Sequence, residues 1–341
     1  MQKNIFAILV FIMTSCFVCA SQAEQSTEFM TRPDVEAFVK MMVNKHHFNE
    51  RQLNQLLQQT TTQQSILTAI AKPAEKKPWH QYEPIFLSEK RIQEGVAFWK
   101  KHAQTLKRAE KEYGVPAEFI VAIIGVETFY GKQAGNYKVL DSLVTLAFEY
   151  PPRSPFFKGE LEQFLLLAKE EGWDPASIKG SYAGAMGNPQ FIASSYRHFA
   201  VDYTGKGKRD LINSAEDSIG SVANYFKVHG WQKGKPVVLK ANVKGEKYKS
   251  VLCSSGNPKP EHSLAKLSSL GVKAPGKANT TYKDLPFAVI SLDGNQGPEY
   301  WLGGQNFYVI TRYNRSNLYA MAVYNLSQKV KAGYKQAQAT T

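Results

Sequence analysis

The chain has 341 residues, with 42 Lys+Arg against 29 Asp+Glu and a formal net charge of +13. Apolar residues make up 43% and charged residues 21%, which excludes a disordered chain, a collagen-like fibre and a polytopic membrane protein. Three Cys cannot form a disulfide scaffold, and the length suffices for roughly two to three domains with a sizeable core.

The first residues read as an export leader, residues 1–23. Lys3 supplies the positive start, Ile5–Val18 is nearly all apolar, and Ser21-Gln22-Ala23 places small residues at the cleavage positions. The run is too short to span a bilayer comfortably. Soluble export to the periplasm is the first reading. Met13-Thr14-Ser15-Cys16 offers a second, a lipoprotein anchored in the outer membrane through Cys16. After cleavage Cys253 is the remaining thiol, expected to be buried and inert. Export makes nucleic acid an unexpected partner despite the positive charge. An anionic envelope polymer or a membrane surface suits it better.

Residues 24–98 read as a helical region. Phe38, Met41, Met42 and Val43, then Leu53, Leu56 and Leu57, keep helical spacing over 29–71. Two prolines in residues 72–79 mark a linker. Residues 88–112 are helical again, but Ser88 followed by Arg91 makes no capping box, so that start is open. Residues 99–234 read as a helical core. Gly114-Val-Pro116 opens the most apolar helix, 117–128, and an apolar surface on nearly every face predicts burial. Further helices are predicted at 140–148, 158–171, 191–200 and 215–229. Residues 235–303 differ: 236–240 and 287–292 are β-rich runs between turn residues, which predicts a small β-containing domain. Residues 304–341 return to helix over 305–330, with a frayed Gln-Ala-Gln-Ala-Thr-Thr end. The fold class is α+β, mostly α-helical.

Two segments carry candidate chemistry. Glu127 ends the apolar helix, and desolvation there disfavours the anion, as a general acid for glycosidic cleavage requires. A cap or an Arg partner would place a Glu there equally well. In Gly180-Ser-Tyr-Ala-Gly-Ala-Met-Gly-Asn-Pro-Gln-Phe191, three glycines permit close backbone approach, and Ser181 and Gln190 can hydrogen-bond a neutral polar ligand. A tight structural turn is the alternative. The segment lacks Lys and Walker spacing, which argues against nucleotide.

These two segments, "IIGVETFYG" and "GSYAGAMGNPQF", followed by "SIGSVANYFKVHGW" and "NFYVITRYNRSNLYAMAV", resemble the membrane-bound lytic murein transglycosylase B family. The resemblance runs from about Trp79 to Leu326. It implies a lysozyme-like catalytic core with an added helical region and a small β domain. It also implies cleavage of the β-1,4 bond between N-acetylmuramic acid and N-acetylglucosamine in peptidoglycan glycan strands, leaving 1,6-anhydro ends. Glu127 becomes the single acid/base, departing from the two-carboxylate pattern of most glycosidases. Asp141 and Glu149 are then solvated or structural. The implied substrate-binding residues are Ser181, Gln190, Phe191, Tyr225, Tyr313, Asn314 and Tyr319, with Tyr82 as a further aromatic wall. Asn188-Pro189 stands where other members often have Tyr-Gly. A hydrolytic muramidase on the same fold and a non-catalytic peptidoglycan-binding protein are the rival readings.

Residues 202–213 resemble the EF-hand-like calcium loop of some members. Gly207 falls at the sixth position, as the turn requires, but Thr204, Lys206 and Asn213 stand at the third, fifth and twelfth. A cation where a ligand belongs predicts a degenerate loop, with Lys206 or Lys208 pairing with Asp202 or Asp210. No cofactor is expected and calcium is not.

Overall fold

The computed structural model describes residues 28–71, 77–253 and 256–339. The leader, with Cys16, lies outside these residues. The described chain forms two compact units that are not consecutive in sequence: 28–71 with 136–185, and 77–135 with 186–339. The division expected from sequence differs. Its boundary at 98/99 falls inside a continuous helix, Glu89–Lys101, and residues 136–185, expected in the core, belong with 28–71. Helical periodicity shows which face is buried, not which distant helix buries it.

In the first unit, Pro33–His46 opens with Pro at its first position and acids in its first turn, carries Lys45 and His46 in its last, and stops at left-handed His47. Asn49 caps Glu50–Gln58 by accepting from the Gln52 N–H at 3.0 Å. Phe29 and, from Pro33–His46, Phe38 lie edge-on to Phe148 of Val139–Glu149, and Gln64–Ile70 and Ser154–Glu171 pack against that same helix. Asp141 and Glu149 do structural work: buried Asp141 accepts from Gln63, and Glu149 accepts from Arg32 at 2.5 Å. A two-residue ladder, β1 (Tyr137–Lys138) on β2 (Lys179–Gly180), leads into the glycine-rich segment. There the Ser181 N–H donates to Ala185 O at 2.8 Å, and its Oγ accepts from the Ala183 and Ala185 N–H groups. Gly180 is required, since a Cβ would sit 2.2 Å from Ala185 O.

In the second unit, Ala117–Thr128 is the central helix. Asn317–Ala339, Glu89–Lys101, Ala215–Val228 and Ala103–Tyr113 pack around it. Buried Glu118 within it is answered by Lys331 at 2.6 Å. Ser88 does cap Glu89–Lys101, its Oγ accepting from the Arg91 N–H. A missing acid at the third position removes only the reciprocal half of a capping box. The helix expected over 88–112 breaks at His102, and the one expected over 305–330 breaks between Tyr313 and Asn317. The end expected to fray is helical to Ala339.

The unit's sheet uses β3 (Val238–Val243), β4 (Leu252–Cys253), β5 (His262–Ser263), β6 (Val272–Lys273), β7 (Pro286–Gly294) and β8 (Gly297–Gly303). Its order is β4-β7-β8-β3-β6, with β5 also on β7. Leu267, Val272, Phe287, Val289 and Leu302 form the core of one face. Sequence patterning missed β8, whose Gly-Pro start and Glu disguise a strand built by its hairpin with β7. Cys253 is half-buried rather than buried.

In the loop 202–213, the Asp202 carboxylate accepts from the N–H groups of Lys206 (3.0 Å) and Gly207 (2.6 Å) and from the Thr204 hydroxyl. Asp210 accepts from the Ile212 and Asn213 N–H groups. Buried Asp217 gathers the N–H groups of Tyr203, Thr204 and Asp210 at 2.8–3.0 Å.

Candidate active site

Every residue of Ala117–Thr128 is buried except Glu127, which keeps partial exposure. The helix ends through three successive left-handed residues: Phe129 (φ 51°), Tyr130 (φ 61°) and Gly131 (φ 87°). Two of them carry side chains, a conformation that persists only where neighbours impose it. Here the Phe129 and Tyr130 N–H groups donate back to Gly125 O and Ile124 O, closing the last turn. The Tyr130 ring slots against Gly125 and Gly95, and its hydroxyl donates to Arg91 O at 2.9 Å.

Thr128 joins this end to the glycine-rich segment. Its buried Oγ1 donates to Asn188 O at 2.8 Å and accepts from the Gly131 N–H at 2.9 Å. The Asn188 N–H in turn donates to Leu211 O, and Gly187 is forced, because a Cβ would lie 2.3 Å from Leu211 O. Gln190 sits at φ 52°, and its Nε2 donates to Ala134 O (3.1 Å) and Gly187 O (3.0 Å). Sequence reasoning passed over Thr128 and noted Asn188 only as a departure from the family pattern. The signal was a small hydroxyl residue directly after the functional Glu.

The Glu127 Oε1 accepts from the Tyr319 hydroxyl at 2.5 Å. Burial raises the Glu127 carboxyl to about 7, with the Tyr319 donor pulling the other way. Burial, reinforced by the Glu127 charge, pushes the Tyr319 and Tyr313 hydroxyls well above their ordinary range, and both stay protonated.

The predicted aromatic residues gather here. The Tyr313 and Tyr319 rings lie nearly parallel at 6.5 Å. Phe191 is buried behind them, 5.6 Å from Tyr225 and 5.8 Å from Tyr313, a support rather than an open surface. The Tyr225 hydroxyl donates to Arg312 O at 2.6 Å, and the Tyr313 hydroxyl to Pro189 O at 2.5 Å. Both hydroxyls therefore tie the site together internally. His229, unremarked in the sequence, stacks on Tyr225 at 3.9 Å. Tyr82 is buried between Trp79 and Phe86. Asn314 is half-buried in the break between the two C-terminal helices. Ser181 belongs to the first unit, where its Oγ closes the local turn.

A family model described as a transglycosylase SLT domain matches residues 30–328. Over 316 residues the chain is 42% identical to the membrane-bound lytic murein transglycosylase B of Escherichia coli (strain K12), covering 89% of this chain and 84% of that protein. The catenated lytic transglycosylase SltB1 of Pseudomonas aeruginosa is similar in structure, with a TM-score of 0.84, 48% identity, and 90% of this chain and 99% of that one covered. SltB3 of the same organism, solved with NAG-anhNAM-pentapeptide, gives a TM-score of 0.76 at 30% identity over 87% of this chain and 78% of that one.

Proposed function

The chain belongs to the transglycosylase SLT domain family, and from that membership we propose that Glu127 is the single acid/base of its reaction. The protein is a peptidoglycan lytic transglycosylase. Glu127, protonated, gives its proton to the glycosidic oxygen between N-acetylmuramic acid and N-acetylglucosamine, and the C1–O bond breaks with oxocarbenium character. The resulting carboxylate then takes the proton of the muramoyl C6 hydroxyl. O6 closes on C1, giving a 1,6-anhydro end with no water consumed and the carboxyl restored. One observation carries this reading: a carboxyl at the end of a buried helix, pushed up to about 7 by desolvation, with the neutral Tyr319 hydroxyl donating to it. A group poised near neutrality can both give and take a proton.

Around it, we assign glycan contact to the half-buried Gln190, Tyr313 and Asn314, while the buried Tyr319, Phe191, Tyr225 and Tyr82 hold that wall in place. Mass spectrometry of fragments released from purified sacculi tests the reaction. Anhydro ends, lighter by one water than hydrolysed ends, are expected; reducing ends would assign the muramidase instead, and no release the binding protein.

The 202–213 loop does not fit calcium: Asp202 already serves two N–H groups and a hydroxyl, and Lys206 holds a ligand position. We read it as a loop that keeps its turn through carboxylate to N–H bonds. We place the protein in the periplasm, freed by cleavage after Ala23, with lipidation at Cys16 as the alternative; the mass of the mature N-terminus separates them. No helix among the described residues is long and apolar enough to cross a membrane.

A further inference from the structure

The positive charge of the chain is concentrated away from Glu127 in sequence. Residues 233–284 hold eleven Lys, no Arg and three acids, Glu246, Glu261 and Asp284, a net +8 of the chain's +13. All eleven Lys are exposed. Two pair with neighbouring acids, Lys249 with Glu246 and Lys259 with Glu261, and the others make no ion pair among the described residues. The sheet register orders part of this charge. Ala241 and Val243 of β3 and Val272 of β6 face the apolar core. Lys240, opposite Trp301, and Lys273, opposite Asn242, therefore stand on the other face. The Lys240 ammonium rides over the Trp301 ring at 5.8 Å, and Lys244 follows directly at the end of β3.

The chemistry of this surface narrows its partner. Lysines are compact, hydrated point charges without the planar fork of arginine, so they suit a diffuse, repeated anion rather than one fixed carboxylate. The exposed large apolar residues of the described chain are Ile85, Phe156 and Val228, none within 233–284. The surface thus has nothing to wedge into a bilayer. We propose that this lysine face of the β-containing segment is a tether for the carboxylate-bearing peptide stems of the peptidoglycan mesh. It would hold the enzyme on its insoluble substrate while Glu127 works strand by strand. This deepens the reading of the reaction and rests on it.

The test compares mature wild-type protein with the triple variant Lys240→Glu, Lys244→Glu, Lys273→Glu on purified sacculi. The expected result is a rise in KM of roughly tenfold with kcat unchanged. The wild-type KM should also rise with salt from about 50 to about 500 mM while that of the variant does not. On glycan strands stripped of peptide by an amidase, the two proteins should become equal. Equal KM and equal salt dependence on intact sacculi would overturn the tether. So would a variant that loses binding only to vesicles of phosphatidylglycerol and phosphatidylethanolamine, which would assign the face to a lipid surface. An unchanged melting temperature keeps the variant interpretable. If neither protein releases anhydro ends, the reaction assignment fails instead, and the two failures stay distinct.

Discussion

Glu127 and Asp202 are carboxyl groups that the same unit treats in opposite ways. Around Glu127, burial dominates and one tyrosine donor only partly offsets it, so the carboxyl rises to about 7. Around Asp202, desolvation pulls upward but is outweighed by the combined N–H groups of Gly207, Lys206 and Gly205 and the Thr204 hydroxyl, and the group falls below its ordinary range. The difference is one of donors. A helix whose N–H groups are already bonded within itself has none to offer a carboxylate at its C-terminal end, while an open turn has several. The apolar helix therefore makes an acid, and the turn makes a structural anion.

The strongest way to break this contrast is Glu127→Gln. The variant should fold and keep the Tyr319 hydrogen bond through its amide oxygen, yet lose turnover on sacculi by ~10² to 10⁴-fold or more, since one group serves both steps. Near-normal turnover would remove Glu127 from the mechanism.

The same variant sharpens the electrostatic side. The folded chain holds the Glu127 proton up to about 7, against 4.5 for an ordinary Glu. The resulting stabilisation is fully present below pH 4.5 and is lost as pH rises through 7, where a desolvated anion remains at a cost of at most about 3 kcal/mol. Partial exposure of the side chain reduces that figure. Glu127→Gln should therefore melt a few degrees above wild type at pH 8 and level with it at pH 4. A difference independent of pH would mean that the anion is not desolvated.

Tyr319→Phe removes the donor that lowers the Glu127 carboxyl. The alkaline limb of kcat against pH should move upward by roughly one unit. A limb that stays in place would show that the Tyr319 hydroxyl does not act on the carboxyl. The smallest effect is expected at the other end of the contrast: the melting temperature should be the same in millimolar calcium and in excess chelator. Lys206→Asp with Thr204→Asp should introduce a calcium-dependent rise. A rise in the wild type would mean that further carboxylate oxygens, from Glu216 or Asp217, complete a site on the loop.

Much of this was readable in the chain itself. An apolar run from Phe119 to Val126 forces a buried helix, because no face of it can meet water without loss, and that makes a Glu at its end a candidate for perturbation, while a cap or an Arg partner would have placed it there equally well. The prolines and glycines at 114–116 and 180–187 mark where helices start and turns close. Other features followed only from packing. That 136–185 joins 28–71, that Tyr319 comes 192 positions along the chain to donate to Glu127, and that Tyr225 and Tyr313 give their hydroxyls to carbonyls are facts of long-range contact. So is the lysine face, whose residues are scattered in sequence and aligned only by strand register. Local physics determines what each segment must bury, but which partner buries it, and which donor reaches a carboxyl, depends on shape complementarity between segments far apart in the chain.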